Sequence, residues 1–158
     1  MPVRPGDGST TPFAASSSAS STAVSVILVG GGKAQLSGPA AVRDLYTSPQ
    51  FARRRARAET SGVPWFVVSG RWGLLDPDDV LAPYSFSFKE QSAGYRRAWG
   101  RFVAEQLSVV SSVGRGDVVE ICAGAGYAAA LTAPIQYLGA QVVHRADVGA
   151  SKPGDELR

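Results

Sequence analysis

Four short apolar runs, separated by segments with helical signals, constrain the fold of this sequence more than any other feature. They are residues 23–29, Trp65–Ser69, Val118–Cys122 and Gln141–His144. Continuous apolar runs of this length are typical of strands that are buried on both faces. Strands that alternate with helices indicate a parallel sheet. We therefore predict a Rossmann-like α/β domain of three layers, with a mostly parallel four-stranded sheet and helices on both faces.

Helix signals fill the stretches between these runs. Ser48 followed by Pro49 is typical of an N-cap with proline at the first helical position, and Gly62 ends that segment. We predict helices over residues 39–46, 49–60, 90–111 and 128–138. In the third of these, one face should carry the apolar side chains Trp99, Phe102, Val103, Leu107 and Val110. The opposite face should carry Arg97, Arg101 and Ala104.

Composition indicates one compact domain. The chain has 158 residues, of which 44% are apolar, and this is enough for a sizeable core. We expect a low-complexity tail over residues 1–21 and a single domain over residues 22–158. The net charge of +3 is too small to identify a nucleic-acid partner.

The chain has one cysteine, Cys122, and one histidine, His144. This excludes an internal disulfide and a zinc site built from Cys and His. We expect no metal and no cofactor. The first residues lack the pattern of a secretory signal, and no apolar run is long enough to span a membrane, so the expected location is cytoplasmic, without a membrane partner.

Three loops should meet at the carboxyl edge of the sheet: residues 30–33, 69–76 and 123–127. Ligands of open α/β sheets bind at this edge. Residues 70–89 form a long connection that we expect to be irregular, and long loops in compact domains are often functional. These loops are therefore the predicted binding site.

The first loop offers Gly31, Gly32 and Lys33 as candidate binding residues. Glycines let backbone N–H groups approach an anion, and Lys33 adds a positive charge. The spacing fits neither a P-loop nor a complete dinucleotide-binding pattern. The alternative is a flexible turn with a solvated lysine.

The second loop offers Ser69, Arg71, Trp72 and Gly73. These residues supply a hydroxyl, a fork of N–H donors for phosphate, a stacking surface and a close backbone approach. The alternative is a structural turn in which Trp72 covers the edge of the core and Arg71 pairs with Asp76.

Asp76 and Tyr127 are the candidate catalytic residues, and Tyr84 and Gly124 are further candidate binding residues. A carboxylate near a strand end can act as a general base or stabilise a cationic transition state. The alternative is that Asp76 is structural and that the side chains of Asp-Pro-Asp-Asp hydrogen-bond to the backbone of a turn or at an N-cap. Tyrosines in a cleft can stack on a base, although they often pack at the edge of a core.

Two further features have a structural interpretation as their main alternative. The arginine-rich segment 53–57 suits phosphate binding but is more typical of a solvated helix face. Glu120 lies within an apolar strand and requires a partner such as an arginine, unless its strand is at a sheet edge.

Several segments together resemble an uncharacterised bacterial and phage domain family. That family has a Cys-Gly-Lys turn, a LYTSPLF helix start, a SAKHGLVDP strand end and an AGxxY turn. The matching segments here are Lys33, DLYTSP at 44–49 with Phe51, WFVVS at 65–69, GLLDP at 73–77, LAPY at 81–84, Trp99, and Ala123-Gly124 with Tyr127. The resemblance covers residues 23–144.

This chain departs from the family pattern at three positions. Gly31 stands in place of Cys, Trp72 in place of His, and Arg71 in place of Lys. The family is in turn similar to domains of tRNA-guanine transglycosylase-type enzymes and, remotely, to uracil-DNA-glycosylase-like folds. The resemblance thus implies that the chain handles a nucleobase, a nucleotide or a nucleic acid.

Three functions follow as hypotheses. The first is an N-glycosidase that cleaves a modified base, with Asp76 positioning water and Trp72 or a tyrosine stacking on the base. The second is a nucleotide- or nucleic-acid-binding module without chemistry, which the scarcity of titratable groups favours. The third is a small-molecule biosynthetic enzyme with a phosphorylated substrate.

Overall fold

A computed structural model describes residues 23–146. The predicted tail over residues 1–21 and the end of the predicted domain lie outside this range. The main sheet has five strands in the order β4-β3-β1-β6-β7. These are β1 (Val26–Gly30), β3 (Trp65–Ser69), β4 (Gly73–Leu75), β6 (Val118–Cys122) and β7 (Gln141–His144). The pairs β1–β3, β1–β6 and β6–β7 are parallel, which confirms the mixed α/β class with a mostly parallel sheet.

Four α-helices are present in the described range: α1 (Val42–Leu45), α2 (Pro49–Ser61), α3 (Ala93–Ser111) and α4 (Ala125–Tyr137), with a 3₁₀ turn at Phe88–Glu90. The predicted start of α2 is confirmed, because the Ser48 side chain accepts a hydrogen bond from the Phe51 N–H and Pro49 is the first helical residue. Gly62, with a φ of 80°, ends the helix in the left-handed conformation. No described helix is long and apolar enough to cross a membrane.

The prediction of four strands was wrong by one. β4 pairs antiparallel with β3, with Ser69 opposite Gly73. A three-residue turn joins the two strands, and Gly73 has a φ of 82°. Hairpin loops of this length commonly require a residue in the left-handed conformation, which glycine adopts without strain.

A second, two-stranded sheet also departs from the predictions. β2 (Ala40–Ala41) pairs antiparallel with β5 (Val80–Leu81). The predicted helix over residues 39–46 is therefore reduced to the four residues of α1, and the segment 70–89 contains two strands and a 3₁₀ turn instead of being wholly irregular.

Two apolar clusters lie on opposite faces of the main sheet. One joins α3 and α4 to the sheet, and the other joins α1 and α2 to it. After β1 the chain passes through α1 and α2 to β3, which lies on one side of β1. It later passes through α3 to β6, which lies on the other side of β1. The strand order thus reverses between β1 and β6, and such switch points open a crevice beyond the carboxyl ends of the strands.

The predicted apolar face of α3 was partly wrong. Trp99, Val103 and Leu107 are buried as expected, but Ala104 is buried too, whereas Phe102 and Val110 are exposed. The buried face of α3 is rotated relative to the predicted face because α3 packs closely against α4. A Cβ atom on Gly100 would lie 2.0 Å from the carbonyl oxygen of Ala130.

Candidate functional site

A cleft of about 500 Å³ lies at the carboxyl edge of the sheet, at the switch point between β1 and β6. Loops after β1, β3 and β6, the first turns of α2 and α4, and the segment before α3 surround it. The lining residues are Gly31, Gly32, Lys33, Gln50, Arg54, Gly70, Tyr84, Phe86, Ser87, Phe88, Lys89, Gly124, Gly126 and Tyr127.

The charged lining of the cleft is entirely positive. Lys33, Arg54 and Lys89 contribute to it, and no lining residue in the described range is an aspartate or a glutamate. Gln50 and Arg54 are four residues apart on α2 and share a helix face. Burial lowers the pKa of Arg54, with a smaller effect from the charge of Arg53, but a guanidinium stays protonated in proteins. The cleft is therefore suited to an anion.

Aromatic side chains form the apolar part of the cleft. The rings of Phe88 and Tyr127 have centroids 4.7 Å apart, and Trp99 stacks beneath Tyr127 at 5.1 Å. The indole N–H of Trp99 donates to the carbonyl oxygen of Ser69 at 2.8 Å. Trp99 is buried, as the sequence predicted, so it supports Tyr127 from the core.

Glycines at the strand ends allow these rings to approach the backbone. A Cβ atom on Gly31 would lie 2.7 Å from the ring of Tyr46, and one on Gly70 would lie 3.0 to 3.1 Å from Phe86 and Phe88. The positions that Cβ atoms would take on Gly31 and Gly70 are thus occupied by aromatic rings. Gly32 is different, since its nearest neighbour would be the Ser48 hydroxyl at 3.9 Å.

A hydrogen-bonded chain of hydroxyl groups lies below the cleft. Ser69 Oγ is 2.8 Å from Tyr84 Oη, and Tyr84 Oη is 2.6 Å from Tyr46 Oη. The backbone N–H groups of Arg71 and Trp72 both donate to Ser69 Oγ. Burial, followed by the hydrogen bond with Tyr84, raises the pKa of Tyr46, so this phenol stays protonated.

Tyr127 is held in place by a hydrogen bond with the backbone of Gly70. Its hydroxyl oxygen accepts a hydrogen bond from the Gly70 N–H at 3.0 Å, while the Tyr95 hydroxyl donates to the Gly70 carbonyl oxygen at 2.7 Å. Burial raises the pKa of Tyr127 to about 12. At neutral pH Tyr127 therefore offers a neutral hydroxyl, and it cannot serve as a general base.

The structure brings six of the sequence-predicted site residues together in the cleft lining. They are Gly31, Gly32, Lys33, Tyr84, Gly124 and Tyr127. Ser69 is fully buried below them and reaches the cleft only through Tyr84. Their roles in binding or catalysis stay predictions.

Arg71, Trp72 and Gly73 do not line the cleft. Arg71 lies over the ring of Trp72, 4.7 Å from its centroid, and Trp72 contacts Tyr84 edge-on. Gly73 faces α3, where an added Cβ atom would meet Gln106 at 2.6 Å. These residues form the β3–β4 hairpin beside the cleft, and in the described structure Arg71 contacts Trp72 and forms no ion pair with Asp76, unlike in the structural alternative for this turn.

Asp76 lies outside the cleft as well. The antiparallel course of β4 carries the chain back past the middle of β3, with Leu75 opposite Val67. Asp76 follows Leu75 and accepts a hydrogen bond from the Asp78 N–H, while the Asp79 side chain accepts from the Asp76 N–H. These are the turn hydrogen bonds that the sequence offered as the alternative, and a catalytic role for Asp76 stays a prediction.

Sequence reasoning missed other residues of the site. Gln50, Arg54, Phe86, Ser87, Phe88 and Lys89 line the cleft, and Tyr46 lies below it. Position gave no signal for most of them, because they do not directly follow a strand. The available signals were indirect: Tyr46 lay within the DLYTSP segment of the family pattern, Arg54 within the arginine-rich segment, and residues 86–89 within the long connection 70–89.

Glu120 has the arginine partners that a buried carboxylate requires. It is fully buried in β6, which is an interior strand, so the sheet-edge interpretation was wrong. Arg57 and Arg145 both bond its carboxylate, and Arg55 pairs with Asp44 and Glu59. Two arginines of the arginine-rich segment, Arg55 and Arg57, are therefore engaged in ion pairs within the protein.

Comparison with known proteins gives a family and no function. No curated protein matches the chain. A family model does match residues 26–149, which cover the whole described sheet and the cleft. The match agrees with the expectation of an uncharacterised family. The chain belongs to DUF6884, a family of unknown function.

Proposed function

We propose that this protein handles nucleotides and binds them in the cleft at the carboxyl edge of its sheet. The observation that carries the proposal is the composition of the lining. Lys33, Arg54 and Lys89 lie in the same cleft as four aromatic rings, without an acidic residue in the described lining.

A nucleotide combines the two chemistries that this lining suits. Its phosphate is attracted by lysine and arginine and by the N-termini of helices such as α2 and α4, which begin at the cleft. Its base presents a planar face to aromatic rings, and each stacked base contributes about 1–3 kcal/mol. The resemblance to domains of tRNA-guanine transglycosylase-type enzymes and to uracil-DNA-glycosylase-like folds supports the same ligand class, as analogy.

Cleavage of an N-glycosidic bond is the second candidate function. It is favoured by the tyrosines Tyr84 and Tyr127 in the lining, because a hydrogen-bond donor stabilises the negative charge on a departing base. Binding without chemistry is favoured by the position of Asp76 outside the cleft. A phosphorylated substrate of another kind would use the same cations.

The test is a thermal-shift screen of the whole chain against four nucleotides, UMP, CMP, IMP and AMP, with the matching nucleosides and inorganic phosphate. We expect the nucleotides to raise the melting temperature more than either the nucleosides or phosphate, because only they engage both parts of the cleft. The shift should decrease at higher salt, since exposed charges are screened.

Mass spectrometry of each incubated nucleotide then separates the two candidates. Release of the free base supports the N-glycosidase, and an unchanged ligand supports the binding module. If none of the nucleotides raises the melting temperature or phosphate alone gives the full shift, the proposed function is wrong.

A further inference from the structure

A second groove adjoins the cleft and lies between α3 and α4. Its volume is about 870 Å³, and it shares the lining residue Gly126 with the cleft. Both helices begin beside the cleft, since Gly126 is in the first turn of α4 and Tyr95, in the first turn of α3, hydrogen-bonds to Gly70. From Ala93 to Glu105 the groove follows α3 for about 18 Å, on the rise of an α-helix. The groove thus extends the cleft along the two helices.

The floor of this groove is apolar. Ala104 on α3 contributes to it, together with three alanines and a proline on α4, Ala129, Ala130, Ala133 and Pro134. Tyr137 lies at the far end of the groove and is 92% exposed. An apolar surface with an accessible aromatic ring suits the faces of nucleobases, because every base can stack on it.

The rim of the groove on α3 is positively charged. Arg97 and Arg101 lie one turn apart on the same face of α3, and both are exposed. Among residues 23–146 neither guanidinium forms an ion pair or a hydrogen bond, and the only acidic residue of the described lining is Glu105, at the far end. Four arginines outside the groove, in contrast, hold carboxylates of the protein: Arg43, Arg55, Arg57 and Arg145. The charges of Arg97 and Arg101 are therefore available to a ligand.

Arg96 connects the charges of the groove to those of the cleft. Its guanidinium donates to the carbonyl oxygens of Lys89 and Gln91, in the segment that brings Lys89 into the cleft lining. Positive charges therefore follow one another from Lys89 through Arg96 and Arg97 to Arg101. A polyanion that runs from the cleft into the groove meets a cation at successive positions.

We propose that the groove between α3 and α4 binds the nucleotides that flank the one held in the cleft, so that the ligand is a single strand of nucleic acid. The inference rests on the proposed function and names its substrate class. The phosphates of the strand contact Arg97 and Arg101, and its bases lie on the apolar floor and against Tyr137. A duplex keeps its bases stacked inside and can use only the charged rim. A single nucleotide fills the cleft and does not reach the groove.

The test compares a ten-nucleotide strand of mixed sequence with UMP, CMP, IMP and AMP, by calorimetry on the whole chain. The strand is used as RNA, as DNA and as the corresponding duplex, and the tighter of the two single strands identifies the sugar. We expect a single strand to bind at least tenfold more tightly than the best mononucleotide, because it occupies the cleft and the groove together. Its affinity should also fall more steeply with salt, since each phosphate contact of a single strand adds about 0.7 to the slope of log K against log salt.

Arg97→Ala and Arg101→Ala separate the groove from the cleft. Each should weaken binding of the strand about fivefold and lower its salt slope by about 0.7, while the affinity for mononucleotides stays the same. Both positions are exposed, so neither substitution should affect folding. Lys33→Ala should weaken both kinds of ligand, because Lys33 lines the cleft. Arg115→Ala, which removes an exposed arginine that lines neither the groove nor the cleft, should weaken neither.

The outcomes separate this inference from the proposed function. If the strand binds no more tightly than the best mononucleotide, if the duplex binds as tightly as the single strand, or if both arginine variants bind the strand like wild type, the inference is wrong while nucleotide binding in the cleft stands. The same holds if a glutamate-rich peptide of equal charge displaces the strand as well as free strand does, because the groove would then recognise charge alone. Strand binding that Lys33→Ala does not weaken would also contradict the inference. If neither a mononucleotide nor the strand binds, the proposed function and this inference both fail.

Discussion

The carboxylate of Glu120 is held by the guanidinium of Arg57 through two hydrogen bonds, of 2.8 and 2.7 Å. The pair joins the interior strand β6 to α2 across the sheet. Arg145, after β7, adds a third bond at 3.2 Å. One buried negative charge thus connects three elements of the fold, including the helix that carries Arg54 into the cleft.

The first prediction concerns the acid stability of this cluster. Burial alone would raise the pKa of Glu120, but the hydrogen bonds from Arg57, Cys122 and Arg145 outweigh burial and lower it from 4.5 to about 2. The depressed pKa means that the cluster stabilises the fold above about pH 4.5 and loses this contribution as the pH falls toward 2. Denaturant unfolding between pH 7 and pH 2.5 should show this loss.

Glu120→Gln should remove the pH-dependent stability that this cluster contributes to the fold. We expect it to lower the free energy of unfolding by about 2 kcal/mol at pH 7, because two guanidinium groups lose a charged acceptor. The difference from wild type should shrink toward pH 2. Glu105→Gln, at an exposed position on α3, is the matched control. Equal effects of the two variants at pH 7 would contradict the role of Glu120.

The second prediction concerns the single cysteine. Cys122 is fully buried and its thiol donates to Glu120 at 3.2 Å. Burial, followed by the bond to the carboxylate, raises the pKa of Cys122 to about 12. Because the thiolate is the reactive form, the native protein should not react with a disulfide reagent at pH 8 over hours. Release of one equivalent of thiol product should require denaturant, and rapid labelling of the folded protein would show this account to be wrong.

The third prediction tests the packing of α3 against α4. Gly100→Ala should lower the free energy of unfolding by about 2 kcal/mol, because its Cβ atom would lie 2.0 Å from the Ala130 carbonyl oxygen. Gly94→Ala, in the same helix with its nearest neighbour at 3.8 Å, should be neutral or slightly stabilising. Melting temperatures of the two variants provide the comparison. If Gly100→Ala does not lower the melting temperature, the two helices are not in close contact.

The fourth prediction separates two adjacent glycines of the cleft. Gly31→Ala should displace the ring of Tyr46, which lies 2.7 Å from the added carbon, and so disturb the hydroxyl chain below the cleft. Gly32→Ala meets only the Ser48 hydroxyl at 3.9 Å. We expect a lower melting temperature and weaker nucleotide binding for Gly31→Ala alone. Similar results for both variants would exclude the proposed contact with Tyr46.

Much of the sheet was predictable because its parallel strands are buried and continuously apolar. Residues 65–69, 118–122 and 141–144 were predicted with the bounds that the structure has. The strand β4 was missed because it has only three residues and is defined by its pairing with β3. Its turn, Ser-Gly-Arg-Trp-Gly, has the composition of a ligand loop, since glycines serve both tight turns and ligand binding.

The site was predictable only where it follows the strands directly. Lys33 and Tyr127 were found because they come soon after β1 and β6. Arg54 and Lys89 reach the cleft through the packing of α2 and through the path of the segment before α3, which local sequence does not determine. The hydroxyl chain of Tyr46, Tyr84 and Ser69 is likewise formed by residues far apart in the sequence.

The central claim is that the positive cleft binds the phosphate of a nucleotide. The most direct measurement is the affinity of UMP and IMP for wild type, Lys33→Ala, Lys89→Ala and Arg97→Ala, by calorimetry at low salt. Each cleft lysine should contribute about 1 kcal/mol, so its removal should weaken binding about fivefold. Arg97→Ala, which removes the same charge from an exposed position outside the cleft, should have no effect. Equal affinities for all four proteins, or no binding by the wild type, would contradict the account.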